Sequence, residues 1–288
     1  MIIDCHAHLY SRTIMDNVLS IDGLADFLHL DKGAVARRTH KGDLKREAAD
    51  AGVHACLLLP VASVYGVSET NAQFLSMVEG EAGLFTAGAI HPSMPNADEE
   101  LARLSSRGVR ALKLSSFTQK FDLDSEENHR LFRRIRKHNL QVGHRFFVVL
   151  DTFYQADRFF NTAREFITTP EKLGRLAAQF PEIDFVAAHM GGLAAPFEEI
   201  VKNFAPRSNV YLDTSNAAHI LARQECIRLV ALHGPDRILF GTDWPWFGHA
   251  DEVAFIRGLL QEAGLTPEEQ SKILGGNIAR LLDWEPSE

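Results

Sequence analysis

The chain has 288 residues, 45% hydrophobic and 24% charged, a composition ordinary for a globular protein that buries a large core without disulfides. Its net charge of −8 argues against sequence-blind nucleic-acid binding, which depends on neutralising phosphates, and no apolar stretch approaches the length of a membrane span. Cys5, Cys56 and Cys226 form no CxxC pair, and the first residues lack the basic-then-apolar pattern of a signal peptide, so a cytoplasmic protein is expected.

Short apolar runs recur along the chain, each too short for a typical helix and bounded by turn residues, as buried parallel strands are. In order they are Met1–Cys5, Val53–Leu59, Leu84–Ile90, Val109–Leu114, Phe146–Leu150, Asp184–Ala188, Val210–Leu212 and Ile238–Phe240. Helical patterns follow them at Leu44–Ala51, Asn71–Glu79, Asp98–Ser106, Glu126–His138, Glu171–Gln179, Phe197–Asn203, Glu225–Leu232 and Asp251–Ala263, with a last helix at Ser271–Leu282. The basic run Arg133–Lys137 reads as the solvated face of one of them. Eightfold strand–helix alternation favours an α/β fold of the (β/α)₈ TIM-barrel kind, one domain over residues 1–288, over a doubly wound open sheet. Two segments stand outside the repeat, Tyr10–Lys41 and Phe153–Thr169. The second is rich in aromatic residues, which suits either a pocket lid or packing on the barrel rim.

In barrel enzymes the chemistry collects at the C-terminal ends of the strands. The first run leads into His6-Ala7-His8. Residues two apart on a strand share a face, so both imidazoles can aim at one point, as a divalent metal requires. His189 ends the sixth run and Asp243 follows the eighth, while His91 and Asp213 complete the rim at the third and seventh.

These positions carry a resemblance. The His6-Ala7-His8 start, Ala111-Leu112-Lys113-Leu114, Ala187-Ala188-His189-Met190-Gly191-Gly192, Val210-Tyr211-Leu212-Asp213-Thr214-Ser215, Ile238-Leu239-Phe240-Gly241-Thr242-Asp243-Trp244-Pro245 and the closing Ile273–Leu282 run are together similar to the amidohydrolase-related family that includes aminocarboxymuconate-semialdehyde decarboxylase. The resemblance spans nearly the whole chain, in order, and implies one divalent metal, Zn²⁺ first and Mn²⁺ second. It implies His6 and His8 as metal ligands, Asp243 as ligand and as base for a metal-bound water, and His189 as the catalytic histidine that polarises the substrate or shuttles a proton.

One motif departs from that pattern. Where the family carries a ligand histidine at the end of the fifth strand, this chain reads Phe146-Phe147-Val148-Val149-Leu150-Asp151-Thr152. Asp151 is the expected metal ligand, because Phe146–Leu150 is the better buried strand; His144 is the alternative under another register. An oxygen ligand would tilt the site toward Mn²⁺, or weaken it. Lys113 is expected as a rim lysine paired with a carboxylate or an anionic substrate rather than as a carboxylated bridge between two metals. His91, Tyr154 and Arg158, with Arg145 and His144 nearby, are candidate substrate contacts; a surface salt bridge is the competing role for the arginines.

The leading functional expectation is metal-assisted hydrolysis of a small amide, ester or lactone. Non-oxidative decarboxylation of a small carboxylic acid on the same site is the alternative, and a catalytically inactive barrel that binds its ligand is the third. The partner is a small molecule, with neither nucleic acid nor membrane, and a homo-oligomer is left open.

Overall fold

The computed structural model describes residues 1–204 and 207–285, leaving aside the side chains of residues 217 and 218. Eight parallel strands follow one another: β1 (Ile3–Ala7), β2 (Ala55–Leu58), β3 (Leu84–Thr86 and Gly88–Ala89, broken at Ala87), β4 (Ala111–Leu114), β5 (Phe147–Leu150), β6 (Phe185–Ala187), β7 (Val210–Asp213) and β8 (Ile238–Leu239). Each pairs in parallel with its neighbours along the two stretches β1–β2–β3 and β3–β8, which the break at Ala87 separates. The Ala87 amide donates to Leu58 O at 2.8 Å across that break. On the other side the first strand meets the last. Cys5 N donates to Phe240 O at 2.9 Å and Asp243 N to His6 O at 2.8 Å. This is the (β/α)₈ arrangement that the alternation predicts.

Alternation along the strands divides the core in two. Side chains such as Ile3, Cys5, Leu57, Phe147, Val149 and Tyr211 fill the barrel axis. Cys56, Leu58, Leu112, Val148, Leu150 and Leu212 face the helical layer. The terminal helix Asn277–Leu282 packs Ile278, Ala279 and Leu282 on the axial group, and Trp284 meets Phe85 edge-on at 5.2 Å. That helix therefore closes the N-terminal mouth and leaves chemistry to the other end. The predicted single last helix is three pieces, Pro267–Ser271, a π-helical turn Lys272–Gly276 and Asn277–Leu282.

β1 departs from simple alternation. Its register with β2 shifts between Asp4 and Ala7. A bulge of this kind re-aims the side chains beyond it. Asp4 thus lies on the outer face with Cys56 and His249, whereas His6 and His8 turn toward the axis. The two extra segments pack on each other over the C-terminal mouth. Leu24 and Leu28 from the first meet Phe153, Ala156 and Ile167 from the second, and Phe27 lies 4.9 Å from Phe159. Among the described residues no helix is long and apolar enough to cross a membrane.

Candidate active site

His6 lies inside β1 and His8 just beyond it, fully and almost fully buried. His8 Nδ1 sits 2.8 Å from Leu59 O, which can only accept, so Nδ1 carries the proton. His6 Nδ1 sits 2.8 Å from Asp213 Oδ2 and likewise donates. With one proton on each ring the two Nε2 atoms are bare, and they face each other at 3.1 Å. Asp243 Oδ1 adds a third lone pair, 3.4 Å from His8 Nε2 and 3.8 Å from His6 Nε2. Three converging lone pairs repel unless a proton or a cation lies among them. Two imidazole nitrogens and a carboxylate oxygen within 4.8 Å of one another are a donor set for Zn²⁺ or Mn²⁺.

Asp213 organises the group. Its Oδ1 accepts from His189 N (2.9 Å), Ser215 N (3.1 Å) and Ser215 Oγ, while Oδ2 holds His6. Burial alone would raise this carboxyl, but His6, His189 and Ser215 outweigh it and hold it well below the usual carboxylate range. Asp243 behaves alike: burial raises it, and the surrounding imidazoles of His8, His189 and His6 bring it below its ordinary value. Burial and then the Lys113 charge push the His6 pKa down, so its neutral, ligating form is favoured.

His189 Nδ1 lies 3.1 Å from Ser215 O and 2.9 Å from Ser215 Oγ, and its ring centre is 5.0 Å from that of His6. The carbonyl requires a proton on Nδ1, which leaves Nε2 as the ring nitrogen available to a ligand. His189, Asn216 and Asp243 all adopt left-handed backbone (φ +55°, +59° and +63°), a conformation uncommon for residues with a Cβ that the surrounding packing must hold. Gly241 makes room for the first histidine, since a Cβ there would lie 2.9 Å from His6 Cβ.

Asp4 ties β1 to the loop after β8. It accepts from His6 N (2.9 Å), Thr242 N (3.0 Å), Thr242 Oγ1 (2.6 Å) and His249 Nε2 (3.1 Å). His6 and Asp243 are thus braced through one buried carboxylate.

The site opens into a cavity of about 870 Å³ lined by His8, His91, Asp151, His189, Asn216 and Asp243, among others. Asp151 lines it but lies outside the converging group; its Oδ1 caps Phe153 N at 3.0 Å. His144 sits before β5, at the opposite end of the strand, with Nε2 on Val109 O. The expected rim position of Lys113 needs correction. In β4 Leu112 and Leu114 face the helices, so Lys113 points to the axis, wholly buried, and its Nζ has no hydrogen-bond partner among the described residues. His91 lines the cavity with both nitrogens engaged, Nδ1 accepting from Ser93 N (3.1 Å) and Nε2 donating to Gln119 O (3.2 Å). Tyr154 and Arg158 do not line the cavity: Arg164 covers the Tyr154 ring at 4.5 Å, and Arg158 stacks over Phe159 at 5.0 Å.

Sequence reasoning missed Ser215, Asn216, Tyr10 and Trp246. Tyr10 stacks on His8 with ring centres 4.9 Å apart, and Trp246 follows at 5.7 Å. Burial and then the Asp243 and Asp151 carboxylates raise the Tyr10 phenol well above its usual value. Tyr10 stands two residues past His8, which was the available signal.

Among curated protein sequences none matches this chain. Solved structures that resemble it over nearly its whole length include 2,6-dihydroxybenzoate decarboxylase complexed with 2,6-dihydroxybenzoate (15% identity, TM-score 0.69, covering 98% of this chain and 99% of that one). A 5-carboxyvanillate decarboxylase from Novosphingobium aromaticivorans, complexed with manganese and a nitrobenzoic acid, shares 15% identity at TM-score 0.70, covering 98% and 96%. An amidohydrolase from Burkholderia multivorans with bound zinc shares 17% at TM-score 0.71, covering 99% and 100%. At these identities the likeness speaks for the fold. A family model described as amidohydrolase matches residues 3–284, and the chain belongs to that amidohydrolase family.

Proposed function

We propose that the protein is a metal-dependent decarboxylase of a small carboxylic acid. The observation that carries this reading is the convergence of His6 Nε2, His8 Nε2 and Asp243 Oδ1 beside His189, at the foot of a cavity with mostly apolar walls. Decarboxylation turns an anion into neutral carbon dioxide, and apolar walls that exclude water disfavour the hydrated starting anion more than the product. The similar structures that are themselves named decarboxylases support the same choice over hydrolysis.

His6, His8 and Asp243 would hold the cation, with Asp213 keeping the His6 proton on Nδ1. A divalent cation held there would supply the positive charge that draws in an acidic substrate and stabilises the negative charge developing on it. The His189 Nδ1 proton is anchored on Ser215, so Nε2 is the atom that exchanges a proton with the substrate. As the carbon–carboxylate bond breaks, its electron pair stays on the substrate carbon. In that step the His189 ring carries a proton on both nitrogens; the carbon takes the one on Nε2, giving R–H and carbon dioxide, and the neutral imidazole left behind recovers a proton from solvent.

Hydrolysis of an ester or lactone is the second reading, and Asp243 favours it. This buried carboxylate is ionised at neutral pH and stands among the same nitrogens, where it can accept a proton from water. The test is carbon dioxide release from hydroxylated benzoates against hydrolysis of aryl esters and lactones, both with Zn²⁺- or Mn²⁺-loaded protein. Release of carbon dioxide, lost in His189→Gln, supports the proposal. Hydrolysis alone, lost in Asp243→Asn, replaces it with the second reading. Protein that takes up neither metal points to an inactive barrel that binds its ligand.

A further inference from the structure

The cavity is larger and less polar than the chemistry at its foot needs. Its volume of about 870 Å³ is near the upper end for sites that enclose drug-sized ligands. It also reaches past the barrel mouth. Phe74 and Met77 come from the helix Val67–Val78 in the outer layer, and Val64 from the loop before it. Ile14, Val18 and Leu28 from the segment inserted after β1 line the same cavity. These six side chains are apolar, and the same helix adds the uncharged Thr70 and Gln73. Apart from the histidines, the charged residues lining the described cavity are Asp151, Asp243 and a single cation, the exposed Lys120. A substrate bearing several carboxylates finds little to pair with there, and burying them unpaired is costly.

We infer that the substrate carries an extended apolar arm, an alkyl or alkenyl chain or a hydrophobic ring, that lies in the wing between the inserted segment and the helix Val67–Val78, with one polar head group at the histidines. This deepens the proposed function and rests on its placement of the head group. Ile14 bears directly on it, because it lines the wing yet is 46% exposed, an apolar surface left for a ligand to cover.

The probes are straight-chain hydroxamates from two to ten carbons, titrated calorimetrically into Zn²⁺-loaded and chelator-stripped protein. Each methylene that enters the wing tightens Kd by about fourfold, in loaded and stripped protein alike. The head-group contribution appears as the offset between the two series. A chain-length slope with no offset removes the metal from the proposed function and leaves the apolar arm in place. An offset with no slope overturns the arm and leaves the metal site, and no binding in either series also overturns the arm. Ile14→Asp and Val64→Asp, both at partly exposed positions, flatten the slope while the thermal midpoint stays within a few degrees. An unchanged slope in both variants places the chain elsewhere and refutes the inference.

Discussion

Replacing Asp213 by Asn tests whether a single buried carboxylate sets the tautomer of the first histidine. Asp213 Oδ1 receives three donors, two of them backbone N–H groups of His189 and Ser215 that cannot turn away. An asparagine must therefore keep its oxygen on that side and present its NH₂ to His6 Nδ1, now 2.8 Å from Oδ2. The His6 Nδ1 must then accept, its proton moves to Nε2, and the lone pair that faces His8 and Asp243 is gone. Loss of such a supporting partner lowers metal affinity by about 10- to 100-fold, equivalent to roughly 1.4–2.8 kcal/mol. Loss of a charged buried hydrogen bond costs the fold about 1.5–3 kcal/mol, a fall of roughly 3–6 °C in Tm for a chain of this size. Competition with a chromogenic chelator measures the first quantity, and thermal unfolding of stripped protein the second. Ser215→Ala serves as the control, since it removes a donor from Oδ1 and a longer 3.2 Å contact to His6 Nδ1 while leaving the 2.8 Å Asp213–His6 bond in place. A folded Asp213→Asn protein that binds Zn²⁺ or Mn²⁺ as tightly as the parent refutes the tautomer argument.

Asp151→Asn is expected to leave metal affinity within about twofold, because the carboxylate caps Phe153 N outside the converging group; a loss of tenfold or more makes it a ligand. Lys113→Met is expected to leave Tm unchanged or raise it, since a buried amine with no hydrogen-bond partner among the described residues is exchanged for an apolar chain of similar length, and a fall of more than about 5 °C reveals a partner for Nζ. His233 gives the pH dependence. Burial lowers its pKa to about 4, and neither ring nitrogen has a partner among the described residues. The folded protein thus holds it neutral, while the unfolded chain takes up a proton below about 6.5. Its contribution to stability is full above that value, declines as the pH falls from about 6.5 to 4, and levels off below. The loss at pH 5 is about 2 kcal/mol, roughly 4 °C in Tm, and His233→Leu should flatten that part of the Tm–pH curve. A variant curve parallel to the parent's assigns the dependence to other groups.

The architecture and half of the site were legible in the residues themselves. Parallel strands covered on both faces must be continuous apolar runs, so eight such runs separated by helical periods announce the barrel, and a polar residue ending such a run announces its active rim. His6, His8, His189 and Asp243 were found in that way, hundreds of residues apart in some pairs yet brought within contact. Even so, strict period-two alternation would put Asp4 on the same face as His6 and His8. The bulge in β1 turns Asp4 outward to brace Thr242 and His249, and register is a property of two paired strands rather than of one.

Other features belong to the tertiary structure alone. Lys113 reads as a rim cation by its charge, and only the packing of its strand places it on the barrel axis. Asp151 stands at the strand end where a ligand is expected, yet its side chain caps the adjacent backbone, a choice set by local hydrogen-bond geometry that composition does not encode. The tautomers of His6 and His8 follow from Asp213 and Leu59, residues remote in sequence. Local periodicity determines which segments become strands and which end is polar, because it depends on neighbours along the chain. Where each polar side chain finds its partner depends on neighbours in space, and that was decided only when the barrel closed.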